Sequence, residues 1–176
     1  YARVAGLAIG FGGVALLVLA PIMLLAAMAI WIEGGRPILF SQLRLGQKGR
    51  PFRMYKFRKF KPDCDDRGCP LTLEGDGRLT RIGRLLAVSK LDELPQLWNV
   101  VRGDMSLIGP RPTLRYQVER YTERQRRRLE VLPGITGWAQ IHGRASLSWD
   151  ERIELDVWYV DHRSPLTDLL ILLRTP

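Results

Sequence analysis

An uncharged apolar segment at the start of the chain constrains the fold more than any other feature of the sequence. No residue from Val4 to Ile32 is charged. A continuous helix of that length would measure about 43 Å, whereas the hydrocarbon core of a bilayer is roughly 30 Å thick. The run is too long for the apolar region of a cleavable signal peptide, so we expect it to remain in the mature protein. The sequence therefore predicts a membrane element followed by one small domain.

Pro21 divides this segment and leaves two topologies open. The halves from Val4 to Ala20 and from Ile22 to Ile32 would measure about 25 Å and 16 Å as helices, so neither crosses the core comfortably alone. Arg3 precedes the segment, and nine Lys or Arg with no acid lie between Gly34 and Lys61. This distribution is compatible with two cytoplasmic ends. We predict a re-entrant, proline-broken helix, and a single tilted, kinked span is the alternative.

The charge balance favours an anionic partner. The 176-residue chain carries 27 Lys and Arg against 18 Asp and Glu, a formal net charge of +9. Nucleic acid, an acidic bilayer surface and phosphorylated small molecules would all satisfy such an excess. The only cysteines, Cys64 and Cys69, lack histidines at finger-like spacing, which disfavours both a zinc site and a disulfide-stapled scaffold.

Residues 34–176 are predicted to form an α+β domain that is mostly helical and contains one β-hairpin. Pro37 to Leu45 and Phe52 to Phe60 are aromatic- and aliphatic-bearing runs joined by a turn with Gly and Pro, as in a hairpin. Alternation along the second strand would put Lys56 and Arg58 on one face, which makes both candidates for substrate binding. The expected helices are Leu79 to Val88, Asp92 to Val101, Thr113 to Val131, Asp150 to Val160 and Pro165 to Leu173, with a short strand or loop at Ile135 to Ile141.

Two surfaces of this domain are candidates for membrane contact. The carboxy-terminal helices carry apolar stripes that fit an interfacial position, with Trp158 and Tyr159 at headgroup depth, although core packing explains the stripes equally well. Four arginines lie together at positions 124, 126, 127 and 128. Beside a membrane anchor such a run favours a lipid-facing patch, and a solvated helix face is the alternative.

Asp92 and Glu93 belong to the most informative block of the sequence. A proline is tolerated only where the first amides of a helix have no internal partner, so Pro95 places helix initiation at about Leu91 to Leu94. There the helix dipole favours a charged carboxylate and a phosphate beside it. An ionised Asp at such a site can act as a nucleophile on phosphorus. Helix capping is the commoner use of acids at these positions, and it is the alternative.

Two further segments carry candidate binding groups. Pro110 and Pro112 restrict the backbone around Arg111, whose guanidinium suits a diphosphate; a rigid exposed loop is the alternative. In the glycine-containing stretch that follows Pro133, Gln140 and Arg144 could bind a base edge or a phosphate. This stretch lacks the Gly-Lys-Ser/Thr of a Walker A loop. His142 by itself is more often a packed or solvent-facing residue than a ligand.

Taken together, these segments resemble the monotopic phosphoglycosyl transferases, the bacterial sugar transferase family that begins glycan assembly on polyprenyl phosphate. The resemblance covers almost the whole chain. It rests on the proline-broken apolar segment, Met54 to Arg58, Leu91 to Pro112, Pro133 to Arg144, and Asp156 with Tyr159.

The resemblance implies a two-step, magnesium-dependent transfer from a UDP-sugar at the cytoplasmic face of the bacterial inner membrane. Residues 1–33 would form the re-entrant helix, and residues 34–176 the cytoplasmic catalytic domain. Asp92 would attack the β-phosphate of the donor, release UMP and hold the sugar phosphate covalently. Glu93 would then assist attack by polyprenyl (undecaprenyl) phosphate.

The same resemblance implies the ligands of the phosphates and the metal. Asp92 and the diphosphate oxygens would hold Mg²⁺, which uses few protein carboxylates. Lys56, Arg111 and Arg144 match cationic positions expected around the phosphates. The chain departs from the family pattern at Ala20, Ala87, Lys59, Phe60 and His142.

Two other functions remain as alternatives at this point. A membrane-anchored nucleic-acid-binding protein would explain the charge, but no recognisable nucleic-acid-binding module is present, so we expect no nucleic acid among the partners. A non-catalytic polybasic membrane adaptor would need the basic residues but not Asp92.

Overall fold

The computed structural model describes residues 2–61, 76–143 and 146–175, with side chains from Ile9 onward. Cys64, Cys69 and Arg144 lie outside the described residues. The helices are α1 (Ala2–Gly34), α2 (Arg81–Ser89), α3 (Gln96–Val101), α4 (Arg115–Val118), α5 (Glu123–Arg126), α6 (Trp138–Ile141), α7 (Trp149–His162) and α8 (Pro165–Arg174). The strands are β1 (Leu39–Leu45), β2 (Pro51–Phe57), β3 (Ser106–Ile108) and β4 (Gly134–Thr136), and 3-10 helices cover Gln47–Gly49, Leu91–Glu93 and Arg127–Glu130. The mixed, mostly helical domain is the one that the sequence predicts.

α1 has the properties expected of a membrane element. Among the described residues it is the one helix long and apolar enough to cross a membrane, over Ile9–Gly34 with a mean hydropathy of 2.6. One side of it packs on the domain through the buried residues Ala26 and Ile30. The predicted division into two helices at Pro21 is not seen, since one helix runs from Ala2 to Gly34 with Pro21 inside it. A proline inside a helix removes one hydrogen bond and can bend the helix without ending it. The re-entrant topology stays a prediction.

The predicted β-hairpin is confirmed, with strands slightly shorter than expected. β1 and β2 pair antiparallel along their whole length. In this register Lys56, Met54 and Arg44 lie on one face, because directly opposite residues share a face and residues alternate along each strand. Met54 is buried against Val100 of α3 and Met105. The face that carries Lys56 and Arg44 is therefore the one turned toward the domain.

Asn99 joins α3 to the hairpin. It is fully buried, its Oδ1 accepts a hydrogen bond from Tyr55 N at 3.1 Å, and its Nδ2 donates to Arg53 O at 2.7 Å. These bonds take the place of a neighbouring strand beside β2. Since α3 follows the acid pair directly, Asn99 helps to fix the position of that pair relative to the hairpin.

The single long helix predicted from Thr113 to Val131 is wrong. The chain forms α4, α5 and the 3-10 helix Arg127–Glu130 instead. The break falls at Thr122, whose hydroxyl accepts from Gln125 N at 3.2 Å while the Gln125 side chain accepts from Thr122 N at 3.0 Å. This reciprocal capping box starts a new helix inside the predicted one.

Several of the candidate residues for membrane contact form hydrogen bonds or ion pairs with other parts of the protein. Tyr159 is buried and its hydroxyl donates to Asp168 Oδ1 at 2.7 Å, so core packing is the interpretation that holds for this residue. Three of the four clustered arginines pair with acids of α7, which makes the run a joint between two elements. The pairs are Arg124–Glu154, Arg127–Asp161 and Arg128–Asp156.

Candidate active site

The acid pair lies in a tight turn in front of α3, where Pro95 predicts the helix start. Leu91–Glu93 forms one turn of 3-10 helix, and α3 begins directly after Pro95. Lys90 enters the turn with a φ of 61°, in the left-handed region that reverses the chain after α2. Leu91 and Leu94 pack on the apolar cluster formed with α1. The two acids are thus held in place by apolar contacts on either side of them.

Glu93 is the centre of an ion-pair cluster. Lys56 Nζ donates to its Oε1 at 2.7 Å, Arg111 Nη2 donates to the same oxygen, and Arg111 Nη1 lies 3.4 Å from Oε2. Burial acts to raise the pKa of Glu93, but Arg111 and Lys56 outweigh it and hold the pKa far below its usual range. Glu93 is therefore ionised and fully engaged. The structure brings together three residues from separate segments that the sequence predicts as site residues.

Asp92 has the opposite environment although it is the adjacent residue. It is 4 % exposed, and no residue that the structure describes donates a hydrogen bond to its carboxylate. Burial and the charge of Glu93 raise the pKa of Asp92, while Lys56, Lys59 and Arg111 oppose this rise. The Asp92 carboxylate is therefore close to several cations, but none of them forms a hydrogen bond or an ion pair with it. Two carboxylates in such different surroundings are suited to two different roles.

The cations around the acid pair outnumber the acids. Burial, reinforced by Arg111, lowers the pKa of Lys56 to about 8 and that of Arg44 to about 10. Burial also lowers the pKa of Lys59, which interacts most strongly with Asp92. Lys56, Lys59 and Arg111 thus face two carboxylates, and Arg44 adds its charge beside Arg111. The surplus of cations suits a phosphorylated ligand.

Sequence reasoning missed two of these four cations as site residues. Arg44 could have been found, because the predicted hairpin puts it on the same face as Lys56. Lys59 was noted only as a departure from the family pattern. Lys59 follows β2, and its backbone carbonyl packs against Gly83 of α2. A Cβ added at Gly83 would lie 2.0 Å from this carbonyl oxygen, so only glycine fits at position 83.

The Arg111 loop and the glycine-containing segment are joined backbone to backbone. Gly109 N donates to Thr136 O and Gly134 N donates to Pro110 O, both at 2.9 Å. A Cβ at Gly134 would lie 2.1 Å from Gly109 N, so any side chain there would push the two segments apart. The absence of a side chain at Gly134 therefore serves the close approach of these two segments of the chain.

The other residues that the sequence analysis singles out have different surroundings. The amide nitrogen and oxygen of Gln140 are buried and make no hydrogen bond with the described residues. His142 is packed on Trp138, with ring centroids 4.2 Å apart, in keeping with its expected role. Arg58 follows β2 and turns away from Lys56, because its Nη2 donates to Gly34 O at 2.9 Å and Gly35 O at 3.1 Å. The structure therefore does not bring Arg58 into the cluster.

A magnesium ligand of the predicted kind is available. In the described ranges no three His, Cys, Asp or Glu side chains form a metal-binding group. Mg²⁺ commonly uses one or two carboxylates together with substrate phosphates, so a protein cage is not needed. The buried carboxylate of Asp92, which accepts no hydrogen bond from the described residues, fits this use, whereas Glu93 is occupied by Lys56 and Arg111.

Comparison with known proteins identifies the family to which the chain belongs. A family model described as "Bacterial sugar transferase" matches residues 4–176. The chain therefore belongs to the bacterial sugar transferase family. Relatives whose names state a function are similar over most of the chain, but the chain spans only about a third to three fifths of their own lengths.

Three of these relatives illustrate the range. The chain is 49 % identical to an "Uncharacterized sugar transferase EpsL" of Bacillus subtilis over 88 % of this chain and 75 % of that protein. It is 43 % identical to the "UDP-glucose:undecaprenyl-phosphate glucose-1-phosphate transferase" of Caulobacter vibrioides, over 89 % and 61 %. It is 40 % identical to the "UDP-N-acetylgalactosamine-undecaprenyl-phosphate N-acetylgalactosaminephosphotransferase" of Aeromonas hydrophila, over 92 % and 40 %.

Proposed function

We propose that the protein transfers a sugar 1-phosphate from a UDP-sugar to polyprenyl (undecaprenyl) phosphate, forming a polyprenyl-diphosphate sugar and UMP as the first membrane step of glycan assembly. The observation that carries the proposal is the unengaged, buried carboxylate of Asp92 beside a surplus of cations. Two of the relatives described above, from Caulobacter vibrioides and Aeromonas hydrophila, are named for this reaction with different sugars. The names of the relatives therefore support the reaction class but do not select one sugar.

The proposed reaction has two displacements at one phosphorus atom. An oxygen of Asp92 attacks the β-phosphorus, the bond from this phosphorus to the bridging oxygen breaks, and UMP leaves with that oxygen. The sugar phosphate is then held as an acyl phosphate on Asp92. An oxygen of polyprenyl phosphate attacks the same phosphorus and releases the Asp92 carboxylate. This use of Asp92 as nucleophile fits its lack of hydrogen-bond donors, since a carboxylate held by donors would be a weaker nucleophile.

Glu93 and its cations have a separate task in this proposal. In the free protein Glu93 neutralises Lys56 and Arg111, which are the groups suited to the diphosphate of the donor. A bound diphosphate would compete for both cations and release the Glu93 carboxylate. The released carboxylate can then assist the second displacement. Gln140 would bind a polar group of the donor, because its buried amide has no other partner.

Magnesium is part of the proposal and binds with the donor. Asp92 is the protein ligand proposed for it, together with diphosphate oxygens. When bound, Mg²⁺ would supply charge neutralisation at the diphosphate. The protein itself would supply Asp92, Lys56 and Arg111, which would surround the donor diphosphate. Arg144, which lies outside the described residues, remains a predicted phosphate ligand.

The covalent step gives the most direct test. The purified protein in detergent is mixed with UDP-sugars labelled in the sugar and with Mg²⁺, without any lipid acceptor. We expect UMP release up to one equivalent and a labelled protein whose adduct maps to Asp92 by mass spectrometry. Asp92→Asn is the matched control and should give neither. UMP release only in the presence of polyprenyl phosphate, with no adduct, would favour a single in-line transfer.

The membrane topology is a separate proposal with its own test. We infer a re-entrant α1 with both ends on the cytoplasmic side, supported by cations on both flanks of the apolar run, namely Arg3 before it and nine Lys or Arg between Gly34 and Lys61. A cysteine introduced at Ala2, in a variant with Cys64→Ser and Cys69→Ser, is labelled in intact cells with a membrane-impermeant maleimide. Labelling only after permeabilisation is expected. Labelling of intact cells would establish a spanning helix instead.

A further inference from the structure

A buried ion pair lies directly behind the loop that carries Arg111. Arg128 and Asp156 have side chains that are 5 % and 3 % exposed, and Arg128 Nη2 lies 2.5 Å from Asp156 Oδ2. The same nitrogen donates to the carbonyl oxygen of Arg111 at 3.0 Å. One guanidinium thus connects an acid of α7 to the backbone of the residue whose own guanidinium contacts Glu93.

The backbone carbonyls of residues 110, 111, 112 and 113 each accept a hydrogen bond from a residue outside this loop. The donors, in the order of the carbonyls, are Gly134 N (2.9 Å), Arg128 Nη2 (3.0 Å), Arg44 Nη1 (3.2 Å) and Leu45 N (2.8 Å). Arg128 supplies the only one of these donors that comes from a charged side chain sealed inside the protein. A charged donor makes a stronger hydrogen bond than a neutral one, and burial protects it from competition by water.

The ion pair also holds the loop at a second point. Arg128 Nη1 donates to the hydroxyl of Tyr121 at 2.5 Å, and this hydroxyl lies 2.9 Å from Thr113 Oγ1. Arg128 therefore contacts Arg111 directly and Thr113 through Tyr121. Pro112 stands between these two residues and restricts the backbone further. The result is a loop with little freedom to move away from Glu93.

We propose that Arg128 and Asp156 are positioning residues, which hold the loop so that the Arg111 guanidinium meets Glu93 and, in the reaction proposed above, the donor diphosphate. Asp156 acts only through Arg128, by keeping its guanidinium oriented toward the Arg111 carbonyl. For its consequence on turnover this inference rests on the proposed function. The reason is geometric, since a displacement of about 1 Å in a reactive arrangement can lower a rate about 100-fold.

The test is a double-mutant cycle between Asp156 and Arg111. Asp156→Asn keeps the shape of the side chain and removes its charge. We expect kcat/KM for the UDP-sugar to fall about 10- to 100-fold. The same substitution in an Arg111→Ala background should have little further effect, because the residue being positioned is absent. Glu154→Gln is the matched control, because Glu154 lies on the same helix in an exposed pair with Arg124 at 3.0 Å, and it should leave kcat/KM unchanged.

Tyr121→Phe is a second variant for the same cycle, and it can be used if Asp156→Asn does not fold. It leaves the ion pair between Arg128 and Asp156 intact. Loss of the hydroxyl link to Thr113 should lower kcat/KM about threefold to tenfold, again only when Arg111 is present. An equal loss with and without Arg111, or no loss in folded variants of an active protein, would overturn the positioning role. A wild-type protein that forms no UMP would instead overturn the proposed function, so the two failures are distinct.

Discussion

The two faces of the Arg111 loop carry ion pairs of opposite character. In front, Glu93 shares Lys56 and Arg111, and the Arg111 side chain is 47 % exposed. Behind, Arg128 and Asp156 are paired one to one, and neither is more than 5 % exposed. Cations that outnumber their acid and reach solvent can exchange that acid for a ligand, whereas a sealed pair cannot. Accessibility and charge surplus, rather than the presence of an ion pair, therefore distinguish a binding site from a structural joint.

Asp92→Asn should separate activity from stability in the front region. Turnover should fall at least about 10³-fold, as expected for loss of a nucleophile. The free energy of unfolding at pH 7 should not fall, because the substitution removes a buried carboxylate that no described residue stabilises by a hydrogen bond. Steady-state UMP release and urea denaturation measure the two quantities. A clear loss of stability would show that Asp92 is mainly structural.

Asp156→Asn should show the reverse balance in the back region. Removing one partner of a buried pair leaves the other charge uncompensated, which costs about 3–5 kcal/mol of the free energy of unfolding. Urea denaturation in detergent measures this loss. The matched substitution Glu154→Gln, on the same helix but in an exposed pair, should leave the unfolding midpoint nearly unchanged. Similar midpoints for both variants would contradict the distinction between sealed and accessible pairs.

Glu93→Gln should change binding and turnover in opposite directions. Without the charge of Glu93, Lys56 and Arg111 lose their internal anion, so UDP should bind more tightly by a few fold. Turnover should nevertheless fall about 100-fold if the carboxylate assists the chemistry. Isothermal titration with UDP and kinetics with the UDP-sugar measure the two effects. Weaker binding of UDP would show that Glu93 is not in competition with the phosphates.

The smallest expected effect concerns the protonation of Lys56. Its pKa is lowered to about 8, mainly by burial, so in the free protein it loses its charge as pH rises through about 8. A neutral amine attracts the donor diphosphate less than an ammonium group does, so donor binding should weaken on the alkaline side of the Lys56 pKa. We expect KM for the donor to rise severalfold between pH 7 and pH 9.

Lys56→Arg is the variant that tests this assignment. Arginine keeps its charge over the whole range, so the rise of KM above pH 8 should disappear while the activity at pH 7 is partly retained. Lys48→Arg, at the exposed tip of the hairpin, is the control. An unchanged alkaline rise in Lys56→Arg would assign the titration to another group.

The elements predicted correctly are those with a local signal. Pro95 marks the start of α3, and the turn between β1 and β2 marks the hairpin, so the positions of Asp92, Glu93 and Lys56 follow from short stretches of sequence. The capping box at Thr122 and Gln125 is also local, and it shows where the predicted long helix must end. The charged helical pattern nevertheless predicts a single helix, because it continues across Thr122 without a Gly or Pro.

The features that escaped prediction depend on contacts between distant segments. Arg128 meets Asp156 only because α7 packs against the 3-10 helix that contains Arg128, and nothing in either segment alone selects that pairing. Arg58 was assigned to the site from strand alternation, but β2 ends at Phe57. The side chain of Arg58 instead meets the carbonyls at the end of α1, a partner that strand periodicity cannot reveal.

The end of α1 is fixed to the start of α2 and to the turn that carries Asp92, so the position of the membrane helix also sets the position of this turn. Glu33 accepts hydrogen bonds from Arg81 N at 2.7 Å and Ile82 N at 2.9 Å, while Leu91 and Leu94 pack on the helix. With α1 in a bilayer, Asp92 would move with the helix, so tilting or sinking of α1 would change the height of Asp92 above the lipid tails. Bilayer thickness would then decide whether a lipid phosphate and the attacking carboxylate meet at the same level, and activity would report on the membrane as well as on the substrate.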